Sequence, residues 1–456
     1  MRMQSTPAKR HGLSADDARQ LCKRVLSFAR ADQARVHVAS GITAFTRTAI
    51  NRITTAGETN NVRITITAVF GKRVASVNTN RLDDASLQAA VRDAEGLARI
   101  APENPEQLPE LGAQKYLDVD GYYASTGDLT TEARALAAAL GVKAAEAAKY
   151  VAAGFIEMSA GSEAVATSNG LFGYYSGTGV ASTLTIRTSD GLSSGWGGDE
   201  DSDWNGIESA RIAEDALRKC REWRGKTALD PGKYEVVLEP PAVGMLLSRM
   251  PNAFDARQAD EGRSFFAKRG GGNRIGEKLF DERVTIVSNP AEKNAETAPF
   301  NDVGQPVQRE VWVENGVLKS LAYSRFWAMK QGSAPKAAPP NFIMSGGTAS
   351  LDDMIRSVKR GVLITRFWYI RPLNPRIISY TGLTRDGTFL IENGKIARPV
   401  TNFRFNQSIA DLLANVEMVG RATREAADES GSPGMPVVVP ALKVKDFNLA
   451  SVSDAI

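Results

Sequence analysis

The sequence predicts an α+β protein with an N-terminal α+β region, in which helices pack on antiparallel sheets, and a β-rich C-terminal domain. Segments with helical periodicity alternate with strand-like segments up to about residue 228. Short strands, glycine turns and prolines dominate from residue 229 onward, which is typical of a sandwich or a distorted barrel. The length of 456 residues allows two or three domains. We therefore predict a disordered tail at 1–13, an α+β region at 14–228 with a possible subdivision near 102–128, and a β-rich domain at 229–456.

The N-terminal region shows the order helix, strands, helix twice, which suggests two related α+β units. The predicted segments are a helix at 14–30, strands at 34–39, 42–48, 62–69 and 73–79, helices at 84–100 and 130–150, strands between 154 and 198, and a helix at about 207–223. Residues 62–67 alternate strictly between apolar and polar side chains, as expected of a strand with one buried face.

The segment at 361–400 carries the clearest features of the C-terminal domain. Its β-branched and aromatic residues predict a strand, and Asn393-Gly394 between apolar runs predicts a hairpin, because this turn requires two positive φ angles. Arginines interrupt the segment, and a guanidinium group is suited to binding carboxylates. One interpretation is a cleft wall that holds a peptide or its C-terminus. The other is a sheet with arginines on its solvent face. The candidate peptide or partner contacts are Arg366, Trp368, Arg371 and Arg385.

Composition excludes several classes of function. A net charge of +4 is too small to indicate a nucleic-acid-binding protein, so we expect no nucleic-acid partner. No apolar run reaches the roughly 18 residues of a membrane-spanning helix, and no signal peptide is recognisable, so we expect no membrane association and a cytoplasmic location. The two cysteines, Cys22 and Cys220, lie in helical patterns and are expected to be buried thiols in a reducing compartment.

The chain has only two histidines, His11 and His37. Histidine is the commonest metal ligand and the usual general base near neutral pH. Zinc, Ser-His and Cys-His chemistry therefore have little support, and we assign no catalytic residue and no cofactor. A glycine-rich segment at 270–276 does not match a dinucleotide-binding fingerprint, and the calcium-loop pattern beginning at Asp201 has Ile212 where a bidentate glutamate is required.

Seven segments of the C-terminal half, in their order and spacing, carry a resemblance to a known family. They are YEVVL at 234–238, EGRSF at 261–265, GEK at 276–278 leading to Asp281, ENGVL at 314–318, GVLITRFW at 361–368, LIENGKI at 390–396 and PALKV at 440–444. The sequence resembles the TldD/PmbA family, also called the modulator-of-DNA-gyrase family. The N-terminal half matches that family more loosely.

The resemblance implies one of two kinds of subunit. One kind resembles a zinc peptidase with an HExxxH helix and a later cysteine ligand, whereas the TldE or PmbA kind lacks these residues and assembles with the first. Here Ser248, Arg249 and Ala253 stand at the positions of His, Glu and His, and the segment at 429–434 has no cysteine. The resemblance therefore implies a metal-free subunit of a two-subunit peptidase that acts on peptides or small unfolded proteins. Its partner would be an HExxxH-bearing, TldD-like subunit.

Two alternatives remain open: a self-sufficient hydrolase of unrecognised chemistry, and a stand-alone peptide-binding or scaffold protein. Without the catalytic partner the chain is expected to form a homodimer. Six aromatic residues near arginines could form the interface, since aromatic residues and arginine are enriched in interfaces, or they could fill the core. They are Trp312, Phe326, Trp327, Phe367, Trp368 and Tyr369.

Overall fold

The computed structural model describes residues 10–453. Most of the predicted disordered tail, residues 1–9, lies outside this range. Residues 10–13, which we had assigned to that tail, instead pack against the N-terminal region: the His11 N–H donates to the Tyr122 hydroxyl at 2.9 Å, and the Leu13 N–H donates to the Ser40 hydroxyl at 2.8 Å. Within the described part of the chain, no helix is long and apolar enough to cross a membrane.

The N-terminal region contains five helices, six strands and one short 3₁₀ turn among the described residues. In chain order they are α1 (Ala15–Phe28), β1 (Gln33–Ala49), β2 (Arg52–Phe70), β3 (Arg73–Thr79), α2 (Asp84–Ile100), α3 (Ala124–Gly127), α4 (Thr131–Ala147), β4 (Tyr150–Thr167), β5 (Phe172–Thr188), β6 (Ser194–Asp201), a 3₁₀ turn (Trp204–Gly206) and α5 (Ser209–Glu222). The strands form a single antiparallel sheet in the order β3-β2-β1-β4-β5-β6.

The two predicted α+β units are visible in this topology. One unit is α1-β1-β2-β3-α2 and the other is α4-β4-β5-β6-α5, and the units join where β1 pairs with β4. The apolar residues of α1 and α2 pack with Val36 and Val38 of β1, and those of α4 and α5 pack with Ile42 and Ala44. Successive side chains on a strand point to opposite faces, so residues 36, 38, 42 and 44 share one face. All four helices therefore cover the same face of the sheet.

The crossing of β1 and β4 depends on two opposed glycines. Gly41 lies opposite Gly161, and beside them the hydroxyls of Ser40 and Ser162 share a hydrogen bond of 3.0 Å. A Cβ atom on Gly161 would lie 2.3 Å from the Ser40 carbonyl oxygen, so no side chain fits there. We had predicted two strands, at 34–39 and 42–48, but β1 is continuous through the glycine between them.

Strand β2 also begins ten residues earlier than predicted. Residues 52–61 pair with β1, yet nearly all of their side chains are exposed. A strand segment without a buried face needs no alternation of apolar and polar residues, so the pattern that revealed residues 62–67 is absent from it.

The C-terminal domain contains the remaining described elements. They are β7 (Gly232–Leu238), α6 (Pro240–Leu247), a 3₁₀ turn (Met250–Phe254), α7 (Ala256–Asp260), β8 (Ile286–Ser288), β9 (Glu310–Glu314), β10 (Val317–Leu318), α8 (Arg325–Gln331), β11 (Phe342–Met344), α9 (Leu351–Arg356), β12 (Arg360–Asn374), a 3₁₀ turn (Pro375–Ile377), β13 (Ser379–Glu392), β14 (Lys395–Pro399), β15 (Asn402–Ser408), α10 (Ile409–Ala414), β16 (Val416–Arg424) and β17 (Val437–Ser453). The predicted boundary at 228/229 falls in the connection between α5 and β7.

Five of these strands close into a barrel. The pairs β7–β12, β12–β13, β13–β15, β15–β17 and β17–β7 complete the ring. Three fully buried rings on its strands pack together: Phe367 stacks on Phe447, and Phe405 contacts both at a tilt, with ring centroids 4.6–5.7 Å apart. Of the two predicted β architectures, the barrel is therefore the one that forms. The Asn393-Gly394 turn is confirmed between β13 and β14, and both residues have positive φ, at 50° and 75°.

We expect Gly161→Ala to lower the free energy of unfolding by about 1–3 kcal/mol, because overpacking forces two paired backbones apart. Urea unfolding of the purified chain measures this loss. Gly96→Ala is the matched control: Gly96 lies in α2 with no atom within 4 Å of a new Cβ, so alanine should stabilise the helix by up to about 1 kcal/mol. Equal unfolding free energies for the two variants would contradict the role given to the glycine crossing.

Candidate functional site

The positions that the resemblance assigns to the zinc motif lie at the end of helix α6. This helix begins with Pro240 and Pro241, and its C-terminal cap is Ser248. The Ser248 hydroxyl donates to the Met245 carbonyl at 3.1 Å, so it already has a partner within its own helix. Arg249 follows, and Ala253 lies in the next 3₁₀ turn.

Arg249 lies close to Glu429, in the segment to which the resemblance assigns the cysteine ligand. Its Nη2 atom lies 3.6 Å from Oε1 of Glu429. The same oxygen accepts a hydrogen bond of 2.7 Å from the Ile370 N–H, and Nη1 of Arg371 lies 3.5 Å from Oε2. The chain therefore brings the end of α6, strand β12 and the segment at 429–434 together around one carboxylate.

A bulge in β12 makes this contact possible. The pairing of β12 with β13 is interrupted between Trp368 and Arg371, and Tyr369 has a φ of 56°, which is uncommon for a residue other than glycine. The Ile370 N–H bonds to Glu429. The guanidinium of Arg371 stacks on the Tyr369 ring, 4.1 Å from its centroid.

These residues do not fit a zinc ion. Zinc sites use cysteine, histidine or carboxylate ligands, and a catalytic site needs three of them. A cationic arginine and a methyl group occupy two of the motif positions, and the hydroxyl of Ser248 is already engaged. Across residues 10–453, no group of three or more His, Cys, Asp or Glu side chains is arranged to hold a metal. The arrangement instead offers positive charge and hydrogen-bond donors.

Arg366 lies in the interface between the sheet and the barrel. Its side chain is buried and its Nη1 atom lies 3.1 Å from Oδ2 of Asp386. Oδ1 of Asp386 accepts a hydrogen bond of 2.6 Å from the Ser194 hydroxyl of β6, and Trp196 of β6 lies under the Arg366 guanidinium, 4.6 Å from the ring centroid. Neither interpretation of the sequence anticipated this position, since Arg366 is neither on the solvent face nor on an open cleft wall.

The other predicted contact residues are more accessible. Arg385 stacks on Trp368 at 4.2 Å, and its Nε atom lies 3.8 Å from Asp386. Arg371 is about half exposed. The structure therefore places Trp368, Arg371 and Arg385 along one hairpin, with Arg366 at its buried base. Their role as peptide or partner contacts stays a prediction.

Three of the six aromatic residues considered for an interface belong to the core. Trp312 and Phe367 are fully buried, and Trp327 is 4% exposed with its indole N–H donating to Asp260 at 2.7 Å. Among the six, Tyr369 is the one that is largely exposed, at 46%. A sequence cannot separate a buried aromatic residue on a strand from one that faces a partner, because both favour strands.

A cleft of about 570 Å³ lies between the N-terminal sheet and the C-terminal domain. Its floor includes four glycines of β1, β4 and β5, and its opposite wall includes residues far away in sequence. The glycines are Gly41, Gly161, Gly177 and Gly179, and the opposite wall includes Glu296, Thr297, Arg424 and Pro433. Sequence analysis singled out none of these residues as functional. No motif marks them, because the cleft forms only when the two parts of the chain come together.

Arg424 ties this cleft to strand β6. Its Nη2 atom lies 3.2 Å from Oε1 of Glu200, and Nη1 donates to the Ser202 hydroxyl at 3.0 Å. Burial raises the pKa of Glu200 to about 7, although the charge of Arg424 opposes this shift. Burial also raises the pKa of Glu425 to about 8, and the hydrogen bond from Thr423 acts in the opposite direction.

The thiols of Cys22 and Cys220 are free and buried, as predicted. Burial raises the pKa of Cys22 to about 12 and that of Cys220 to about 11, so neither is an activated nucleophile. Nε2 of His37 in β1 lies 2.6 Å from Oε1 of Glu163 in the neighbouring strand β4.

We expect Arg366→Met to destabilise the protein by about 3–5 kcal/mol, because it leaves the Asp386 carboxylate buried without its cation. Urea unfolding provides the measurement. Arg376→Met on the exposed turn of the same hairpin should change the unfolding free energy by less than about 0.5 kcal/mol. A similar small effect at both positions would show that the buried pair does not stabilise the interface.

The raised pKa of Glu425 predicts a pH dependence of stability. The folded state favours the protonated carboxyl, so the unfolding free energy should fall as pH rises from the ordinary value of 4.5 to about 8. Glu425→Gln cannot ionise and should flatten this decline in urea unfolding measured across the same range. Glu392→Gln, at an exposed position, is the control and should keep the wild-type dependence of the unfolding free energy on pH. An unchanged slope for Glu425→Gln would contradict the assignment.

Models of known domain families match three successive parts of the chain. Three domain families match: PmbA/TldA metallopeptidase domain 1 at residues 45–98, the central domain at 125–221 and the C-terminal domain at 231–451. A metalloprotease of Methanothermobacter thermautotrophicus is 26% identical over 46% of this chain and 47% of its own length. A TldD metalloprotease homologue of Buchnera aphidicola is 25% identical over 48% of each chain. The matched region thus spans about half the length of these curated relatives.

Two solved structures share the fold over nearly the whole chain. TldE from Thermococcus kodakarensis has a TM-score of 0.81 at 19% identity, covering 95% of this chain and 99% of that one. A Thermotoga maritima protein described as a modulator of a DNA gyrase has a TM-score of 0.81 at 16% identity, covering 94% of this chain and 99% of that one. Three consecutive family domains in their proper order, together with this fold, show that the chain belongs to the TldD/PmbA family.

Proposed function

We propose that this chain is a metal-free, TldE/PmbA-type subunit of a two-subunit peptidase that acts on peptides or small unfolded proteins. The proposal rests on one observation: Ser248, Arg249 and Ala253 occupy the positions that the resemblance assigns to the zinc motif. The segment at 429–434 has no cysteine, and its Glu429 lies beside Arg249. The family domains are named for metallopeptidases, and several relatives are named metalloproteases. An HExxxH-bearing partner would therefore supply the zinc.

The role of this chain would be to shape the chamber in which the peptide lies. Support comes from the cleft between the sheet and the C-terminal domain, whose floor is rich in glycine. Without side chains, the floor lets another main chain approach closely. Clefts of about 300–1,000 Å³ are typical ligand sites, and this one falls within that range at about 570 Å³.

The hairpin of β12 and β13 is the best candidate for partner contact. Near its turn, Tyr369, Leu373 and Ile377 are 46%, 53% and 48% exposed. Grouped exposed apolar side chains with arginines beside them are typical of interaction surfaces. Trp368, Arg371 and Arg385 lie on the same hairpin. The surface would join the HExxxH partner, or a second copy when that partner is absent.

A stand-alone peptide-binding protein is the second candidate. It is favoured by one specific observation: the 570 Å³ cleft is present in the single chain, between its own N-terminal sheet and C-terminal domain. The two candidates differ in whether the chain changes the activity of an HExxxH subunit.

The purified chain should contain less than about 0.1 equivalent of zinc, because the ligand set is missing. The HExxxH subunit should cleave unfolded peptides only when this chain is added, and a chelator should abolish that activity. Elemental analysis and a peptidase assay with the separate and mixed subunits measure both. Full activity of the HExxxH subunit alone would overturn the proposal, as would stoichiometric zinc in this chain.

A matched variant tests the missing site directly. The triple change S248H, R249E and A253H restores the motif but puts a glutamate beside Glu429 and supplies no cysteine. It should therefore not make the isolated chain a peptidase, since the supporting groups of a metal site are also needed. Chelator-sensitive turnover by this variant alone would contradict the geometry described here.

A further inference from the structure

The end of α6 carries a guanidinium group with unused hydrogen-bonding capacity. Within residues 10–453, Arg249 makes no hydrogen bond, and its Nε atom is buried without a partner. Its nearest carboxylate, on Glu429, lies at 3.6 Å, which is too long for a hydrogen bond. Of the five N–H donors of this guanidinium, the one on Nε is therefore buried and unsatisfied, and an unsatisfied buried donor costs about 1–3 kcal/mol.

Glu429 carries one negative charge and lies beside two arginines. One of its oxygens is held by the Ile370 N–H at 2.7 Å, and the two guanidinium groups lie 3.6 Å and 3.5 Å away on either side. Two cations therefore share one carboxylate, which leaves one positive charge. Arg371 is about half exposed and Arg249 about one third exposed, so a ligand can reach both.

A groove borders the chain segment that continues from Glu429. Ser430, which directly follows Glu429, and Ser432 line a cleft of about 470 Å³ together with the ends of β1, β4 and β5. The groove thus runs between the segment at 429–434 and the sheet. Its size matches a short stretch of peptide.

We propose that Arg249 and Arg371 bind the C-terminal carboxylate of a peptide whose last residues lie in this groove. The inference rests on the proposed function for the choice of a peptide as ligand. A carboxylate matches the planar fork of a guanidinium and forms charge-assisted hydrogen bonds with it. Its negative charge would neutralise the second of the two arginines, since Glu429 balances only one of them. The chain would then hold the C-terminal end of a peptide at Arg249, the position that corresponds to the glutamate of the HExxxH motif in its partner.

The experiment uses the isolated full-length chain and a fluorescently labelled pentapeptide of alternating alanine and serine. The peptide is prepared as the free acid, as the C-terminal amide, and as an amide whose last residue is glutamate. Fluorescence anisotropy at low ionic strength gives the three affinities. The free acid should bind about tenfold more tightly than either amide, as expected for a charge-assisted contact.

Arg249→Gln and Arg371→Gln should each reduce this preference to about twofold. Arg376→Gln is the matched control, because Arg376 is an exposed arginine on the turn of the same hairpin. It should keep the full preference. Arg371 is half exposed, so its variant is expected to fold even if the change at Arg249 disturbs the end of the helix.

Equal affinity of the wild-type chain for acid and amide would overturn the inference, and so would an unchanged preference in both arginine variants. Tight binding of the glutamate-ended amide would show a general carboxylate site and overturn the assignment to the chain end. These outcomes are separate from the proposed function. A chain without acid preference that still activates the HExxxH subunit would remove only this inference, and the reverse result would remove only the subunit role.

Discussion

Strand β6 holds the two parts of the molecule together, and the rest of the structure depends on its polar contacts. Its Ser194 donates to Asp386, its Trp196 lies under Arg366, and its Glu200 pairs with Arg424. The glycines that alternate with these residues face α5: a Cβ atom on Gly195 would lie 2.2 Å from a carbonyl oxygen of that helix. One face of the strand thus lets a helix approach, and the other engages the charged groups of the C-terminal domain.

These contacts place charged side chains in the protein interior, which is energetically unfavourable unless they are paired. Taking an arginine and a carboxylate out of water is offset only when the pair has good geometry and further hydrogen bonds. Asp386 has both, since it contacts Arg366 and accepts from Ser194. Arg424, which pairs with Glu200, also lines the cleft of about 570 Å³. A contact that joins β6 to the C-terminal domain thus also forms part of the wall of the candidate peptide chamber.

Much of the fold was predictable from local patterns, whereas the site was predictable only in part. Strict alternation revealed residues 62–67, and Asn393-Gly394 revealed its hairpin. The exposed half of β2 has no such pattern, and the glycine of β1 resembles a break. Arg366 was recognised as unusual, but its burial depends on Asp386 and on strand β6, which lies more than 150 residues earlier. Contacts between distant segments have no local signature.

The closure of the barrel has a consequence for how the chain folds. Strand β7 at residues 232–238 finds one of its two neighbours in β17, about 200 residues later, through pairs such as Leu238 with Leu442. Pairing across such a separation carries a large loop-closure entropy and is slow. During synthesis the N-terminal sheet has all of its own strands long before β17 leaves the ribosome. The sheet can therefore form first, while the unfinished barrel exposes the open edges of β7 and β15, and that intermediate is the one most in need of protection from aggregation.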